Sequence, residues 1–177
     1  MLTPYRLEIA VLACLFLLSG CSMMHPLKRA VGIAPSLDLQ VHITPDANAD
    51  SVIPFDIVAV SDKKDVDKID QMDAEAWFGA KGRCNFRGGP KANVQFHSWE
   101  FVPGQSSHIH LVLKKQPRVI YGFALYSSEG KHRVDLLGAS VLSLDMGQEG
   151  ILVHTENSSP QKHLASAPER TKVCPDD

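Results

Sequence analysis

Aromatic residues are scarce, at 7% of 177 positions, and the 18 Lys and Arg are scattered without a basic block. A surface that stacks bases or follows a phosphate backbone needs both features, so nucleic acid is excluded as a partner class. The chain has no continuous apolar run of helix-spanning length, and no CxxC, HxxxH, GxSxG or phosphate-loop pattern. Zinc-ribbon, serine-hydrolase and nucleotide-binding chemistry therefore have no local signature. What is present is ordinary for one globular domain: 44% hydrophobic residues, 21% charged residues and a formal net charge of -2. That composition supports a packed core and excludes wholesale disorder.

The first 20 residues form an address. Arg6 and Glu8 precede the apolar run 9–18, and small residues follow at Ser19 and Gly20. Such a run is about half the roughly 20 residues that span a bilayer as a helix, and it suits a secretory signal peptide. Leu18-Ser19-Gly20-Cys21 resembles the lipobox of bacterial lipoproteins. There, small residues enter a narrow peptidase site and the Cys thiol is acylated. Residues 1–20 are thus expected to leave, and Cys21 to carry lipid. Residues 21–36, broken by Pro26, Gly32 and Pro35, form a lipidated tether. Each buried CH₂ contributes about 0.8 kcal/mol, so several acyl chains hold essentially permanently. By the same resemblance, Ser22 after the Cys implies the outer membrane, with the body facing the periplasm.

Cysteine bookkeeping follows. Cys14 departs with the signal peptide and Cys21 is acylated, which leaves Cys84 and Cys174. Two leftover thiols in an oxidising compartment are most simply a disulfide. Closing a loop of about 90 residues contributes roughly 4–5 kcal/mol in the chain-entropy model. It also pins the irregular polar tail, residues 156–177, to the body.

Leu37, Leu39, Val41 and Ile43 alternate with Asp38, Gln40, His42 and Thr44, the signature of a half-buried strand. Residues 45–51 are a polar turn, and residues 53–60 a second strand rich in β-branched side chains. Between 62 and 80 the period lengthens to that of a helix, with Val66, Ile69, Ala76 and Trp77 recurring. Asp62 or Asp65, and then Asp73, are the candidate caps. Residues 83–92 read as a glycine-containing loop. Further strands are expected at 94–102, 108–114 and 119–126. After a turn at 127–130, residues 133–144 would pair back, and 151–154 form a weaker last strand. About seven or eight short strands with one helical insertion around 62–80 indicate a mainly β fold, a β-sandwich over residues 37–155.

Four catalytic or ligand-binding constellations have members on this frame. His97, His108 and His110 on neighbouring strands are the candidate metal ligands, but alternating polar residues also describe a strand's solvent face. Ser106-Ser107-His108 is only local proximity. The run Asp62, Asp65, Asp67, Asp70 and Asp73 is interleaved with lysines and suits a solvated helix face better than a calcium loop. Gly88-Gly89-Pro90 lacks the Lys and helix of a phosphate loop. No enzyme, metal or cofactor is expected. Trp77 and Phe78 are assigned to core packing. The loop 45–51 is either a displayed binding loop or a plain connector.

The order of segments carries a resemblance. After the lipobox come Ile43-Thr44-Pro45-Asp46, the Pro-led strand Pro54-Phe55-Asp56-Ile57-Val58-Ala59-Val60, and Trp77-Phe78-Gly79. Phe101-Val102-Pro103-Gly104-Gln105 and Ile120-Tyr121-Gly122-Phe123-Ala124-Leu125-Tyr126 complete it. Over residues 21–140 the chain resembles the outer-membrane lipoprotein family of type VI secretion systems, TssJ or SciN. The resemblance implies a transthyretin-like β-sandwich that anchors a secretion membrane complex. It also implies that the loop between the first two strands contacts the periplasmic domain of the inner-membrane protein TssM. Here that loop is Pro45, Asp46, Ala47, Asn48, Ala49 and Asp50. The alternatives are a pilotin-type lipoprotein that escorts an outer-membrane pore protein, and a periplasmic ligand or metal binder.

Overall fold

Strict alternation sends one side of the first strand inward. β1 (Ser36–Ile43) buries Leu37, Leu39, Val41 and Ile43 and turns Asp38, Gln40 and His42 outward. β2 (Ile53–Val60) is buried along almost its whole length, because both of its faces are covered. The computed structural model describes residues 34–80, 82–86, 92–137, 141–154, 168–171 and 174. The chain divides into residues 1–33 and a unit from Ala34 to Asp177, and all described residues belong to the second. The signal peptide, Cys21 and the tether up to residue 33 lie outside the described residues, as does Gly88-Gly89-Pro90.

The remaining strands are β3 (Val94–Phe101), β4 (Ser106–Val112), β5 (Val119–Ala124), β6 (Arg133–Asp135), β7 (Val141–Met146) and β8 (Ile151–His154). They form two four-stranded sheets, one in the order β4-β1-β7-β8 and the other β3-β2-β5-β6. The fold is thus mainly β, a sandwich of eight strands among the described residues, as the sequence indicates. Side chains from the inner faces interleave between the sheets, among them Leu39, Ile43, Phe55, Ile57, Phe101 and Leu144. A second core lies on the other side of β2 and β5, where Val58, Val60, Tyr121 and Phe123 meet the helical insertion.

That insertion is α1 (Lys63–Ile69) and α2 (Ala74–Phe78). Helices of one to two turns are unstable alone, so caps and packing must hold them. The Asp62 carboxylate accepts the Lys64 N–H at 2.9 Å, and that of Asp73 accepts the Ala76 N–H at 2.8 Å. Ile69 and Trp77 are fully buried, and the Trp77 ring stacks on Phe123 with centroids 5.1 Å apart. Trp77 belongs to the core.

One expected element divides. Instead of a single strand over 133–144, β6 pairs antiparallel with β5, while β7 crosses to the other sheet and runs parallel to β1. The cause is local. Leu136 is buried at 1% exposure, and the Asp135 carboxylate accepts the Leu137 N–H at 2.8 Å, which turns the chain away. Cys84, in the short turn Arg83–Phe86, is joined to Cys174 by a disulfide across 90 residues.

Candidate partner interface

Strand directions gather four connections at one end of the sandwich. β1 runs antiparallel to β4 and parallel to β7, and β2 runs antiparallel to β3 and β5. Residues 44–52, 102–105, 125–132 and 147–150 therefore share an end. Residues 34–35 and 113–118 lie at the other, while the helical insertion covers the outer face of β2 and β5 and reaches the loop end, where the Ala74 N–H donates to the Lys131 carbonyl at 2.9 Å. The two ends are separated by the length of β1, about 26 Å at the usual rise per strand residue.

The four connections are stitched to one another. The Ile43 N–H donates to the Gln105 carbonyl at 2.8 Å, Gly104 N–H to Thr44 at 3.2 Å, and Thr44 N–H to Met146 at 3.0 Å. The Ser128 hydroxyl donates to the Glu149 carbonyl at 3.3 Å, and the Tyr126 hydroxyl to the Gly150 carbonyl at 3.0 Å. Asn48 is the centre of this network. Its Oδ1 accepts from the Ser127 N–H at 2.7 Å and the Ser127 hydroxyl at 3.0 Å, and its Nδ2 donates to the Val52 carbonyl at 3.1 Å.

The loop expected to meet a partner is thus split in two by burial. Pro45, Asp46, Ala49 and Asp50 are exposed, whereas Ala47 and Asn48 are buried and face the body. Within this end, Val52 and Val102 are also exposed, at 47% and 55%. Asn48, Ala49 and Asp50 hold φ values of 49, 51 and 61°. Left-handed backbone costs an L residue roughly 1–2 kcal/mol, and the Asn48 side-chain bonds, with Ala47 N–H to the Thr44 carbonyl and Ser51 N–H to the Asn48 carbonyl, hold the loop in this shape. Asn48→Ala removes three hydrogen bonds and is expected to destabilise the fold by about 2–3 kcal/mol. Asn48→Gly relieves the backbone and should lose less. Denaturant midpoints of the two variants test the order.

Burial pushes the Tyr126 phenol up to about 12. Tyr121 is also raised to about 12, first by burial and then by its bond to Asp70. An unfolded phenol ionises near pH 10, so between about 10 and 12 the unfolded chain sheds protons that the folded one keeps. Stability contributed by these protonated rings is full below pH 10 and lost as pH rises towards 12. Tyr126→Phe should lessen that loss by roughly 1–2 kcal/mol, read from denaturation curves at pH 9 and 11.5.

The other candidate residues do not converge. His97 lies on β3, with Nδ1 2.6 Å from a Glu169 oxygen. His108 and His110 lie on the outer face of β4, at 3.5 and 2.8 Å from Asp38 Oδ1. Among the described residues, no group of three or more His, Cys, Asp or Glu is arranged to hold a metal ion. The Ser106 hydroxyl partners His42 at 2.8 Å rather than His108. In the acidic run, Asp62 and Asp73 cap helices, Asp65 pairs with Lys68, and Asp70 pairs with Arg133.

No protein-family model and no curated protein matches the chain. Solved structures do match. The T6SS lipoprotein TssJ1 from Pseudomonas aeruginosa superposes with a TM-score of 0.54 at 15% identity, over 71% of this chain and 99% of that one. The fold is that of TssJ. Serratia marcescens Lip, a membrane-bound component of the type VI secretion system, matches with a TM-score of 0.52 at 13% identity, over 70% and 99%. A structure of the T6SS protein TssM C-terminal domain from EAEC matches with a TM-score of 0.51 at 13% identity, over 67% and 97%.

Proposed function

We propose that this protein is a non-catalytic outer-membrane lipoprotein. Lipid on Cys21 anchors it, and its loop end docks the periplasmic domain of an inner-membrane, TssM-like protein. The observation that carries this assignment is the rigid loop end, which lies at the opposite pole from the point where the tether enters β1. Among the side chains exposed at the loop end are Pro45, Asp46, Asp50, Val52 and Val102. The TssJ-like fold supports the same assignment.

Capture of the tagged protein from detergent-solubilised membranes, followed by mass spectrometry, tests it. A TssM-like protein is expected, and it should be lost from the Asp46→Arg/Asp50→Arg variant. A secretin in its place would point to a pilotin role and overturn the assignment.

A further inference from the structure

Side chains hold the connection between β5 and β6, residues 125–132, in shape. The His132 ring stacks on the Tyr126 ring with centroids 4.8 Å apart, and its Nε2–H donates to the Ser128 carbonyl at 2.8 Å. Tyr126 is a firm support, because it is buried and its hydroxyl donates to the Gly150 carbonyl. The His132 ring also lies against Gly130, where a Cβ would come within 3.0 Å of two ring atoms. Gly130 has a φ of 150°, so glycine serves both the turn and the ring. His132 itself holds a φ of 42°, which a residue with a side chain keeps only when its surroundings fix it.

The base of this connection is tied to two other elements. The Ala124 N–H donates to the His132 carbonyl at 3.0 Å, and the Ala74 N–H to the Lys131 carbonyl at 2.9 Å. The next residue, Arg133, donates to the Met72 carbonyl at 3.1 Å, and its guanidinium lies 4.8 Å from the Tyr121 ring centroid. His132 is thus mounted on β5 and on the helical insertion together. The carbonyl it holds belongs to Ser128, one residue beyond Ser127. Ser127 in turn gives both its N–H and its hydroxyl to Asn48 Oδ1.

We infer that His132 is a positioning residue for the docking loop: its ring fixes the 127–130 turn and, through Ser127 and Asn48, the shape of residues 45–52. The loop is sensitive to this hold. Asn48, Ala49 and Asp50 all sit in left-handed backbone, so a loop released by Ser127 relaxes out of its present shape. The consequence for affinity rests on the docking role proposed above, because a loop ordered beforehand loses less freedom on association. The positioning itself is a property of the free protein.

The test compares the mature protein with two variants. His132→Gly removes the ring and suits the left-handed backbone, so any loss comes from the ring. Gly130→Ala keeps His132 but sets a Cβ 3.0 Å from its ring. In both, amide exchange of the free protein should quicken roughly five- to tenfold at Ser127 and Ser51, with the middle of β1 and β2 unchanged. Binding of the purified periplasmic domain of the proposed TssM-like partner should weaken roughly tenfold in His132→Gly. In an Asn48→Gly background the same change should weaken it no further, since the relay is already cut. A ring that served only general packing would quicken exchange throughout the strands, and one that touched the partner directly would give additive losses. Either result overturns the proposal, as would unchanged exchange at Ser127 and Ser51. A wild-type protein that does not bind the domain overturns the docking role, and the exchange measurements still decide the positioning.

Discussion

Replacing Cys21 by Ser should move the protein entirely from the membrane pellet to the soluble fraction. The expectation rests on where membrane affinity can come from. Among the described residues, no helix is long and apolar enough to cross a membrane. The net charge is -2, with no basic block to hold an anionic surface. In the proposed anchor the attachment is lipid on Cys21, at about 0.8 kcal/mol per buried CH₂. Fractionation with a carbonate wash, followed by immunoblotting, reads the result. A Cys21→Ser protein still in the pellet would remove the anchor from the account.

Asp56→Ala should be the most damaging single change inside the body. Asp56 sits in the middle of β2 with 0% exposure, facing the helical insertion. It accepts from Trp77 Nε1 at 2.8 Å and from Arg83 at 3.2 Å. Truncation leaves a mostly buried guanidinium and a buried indole N–H unpaired, which costs about 3–5 kcal/mol. Asp56→Asn keeps an acceptor for the indole and should lose less. Removing both charges with apolar residues, as in Asp56→Leu with Arg83→Met, should recover part of the loss. Urea midpoints of the three variants give the order, and equal losses in all three would contradict it.

Much of this architecture was legible in the chain. The alternation at Leu37, Leu39, Val41 and Ile43 set β1, because a strand with one buried face must alternate. The caps Asp62 and Asp73 were visible as acidic residues before a helical period. The split between β6 and β7 was harder, since residues 133–144 are rich enough in apolar side chains to read as one strand. The adjacent pair Leu136 and Leu137, which breaks the alternation, was the available sign. Asp56 carried a signal too, as a lone carboxylate in the apolar run 53–60. Its partners Trp77 and Arg83 were not legible, being joined only by the packing of the insertion onto β2.

The loop end was half legible. The polar composition of 45–51 suits a displayed loop or a plain connector equally, and nothing in the sequence separates exposed Asp46 and Asp50 from buried Asn48. That division follows from the bond between Asn48 and Ser127, 79 positions apart. Likewise, the gathering of four connections at one pole depends on the parallel pairing of β1 with β7. Such a pairing is a property of topology.

Hydrogen exchange of the mature protein with and without the purified periplasmic domain of the proposed TssM-like partner tests the docking claim most directly. The account predicts slowed exchange confined to the loop end, centred on residues 45–52 and 102–105. Protection on the outer face of β4 and β1 instead, or none anywhere at saturating partner, would contradict it.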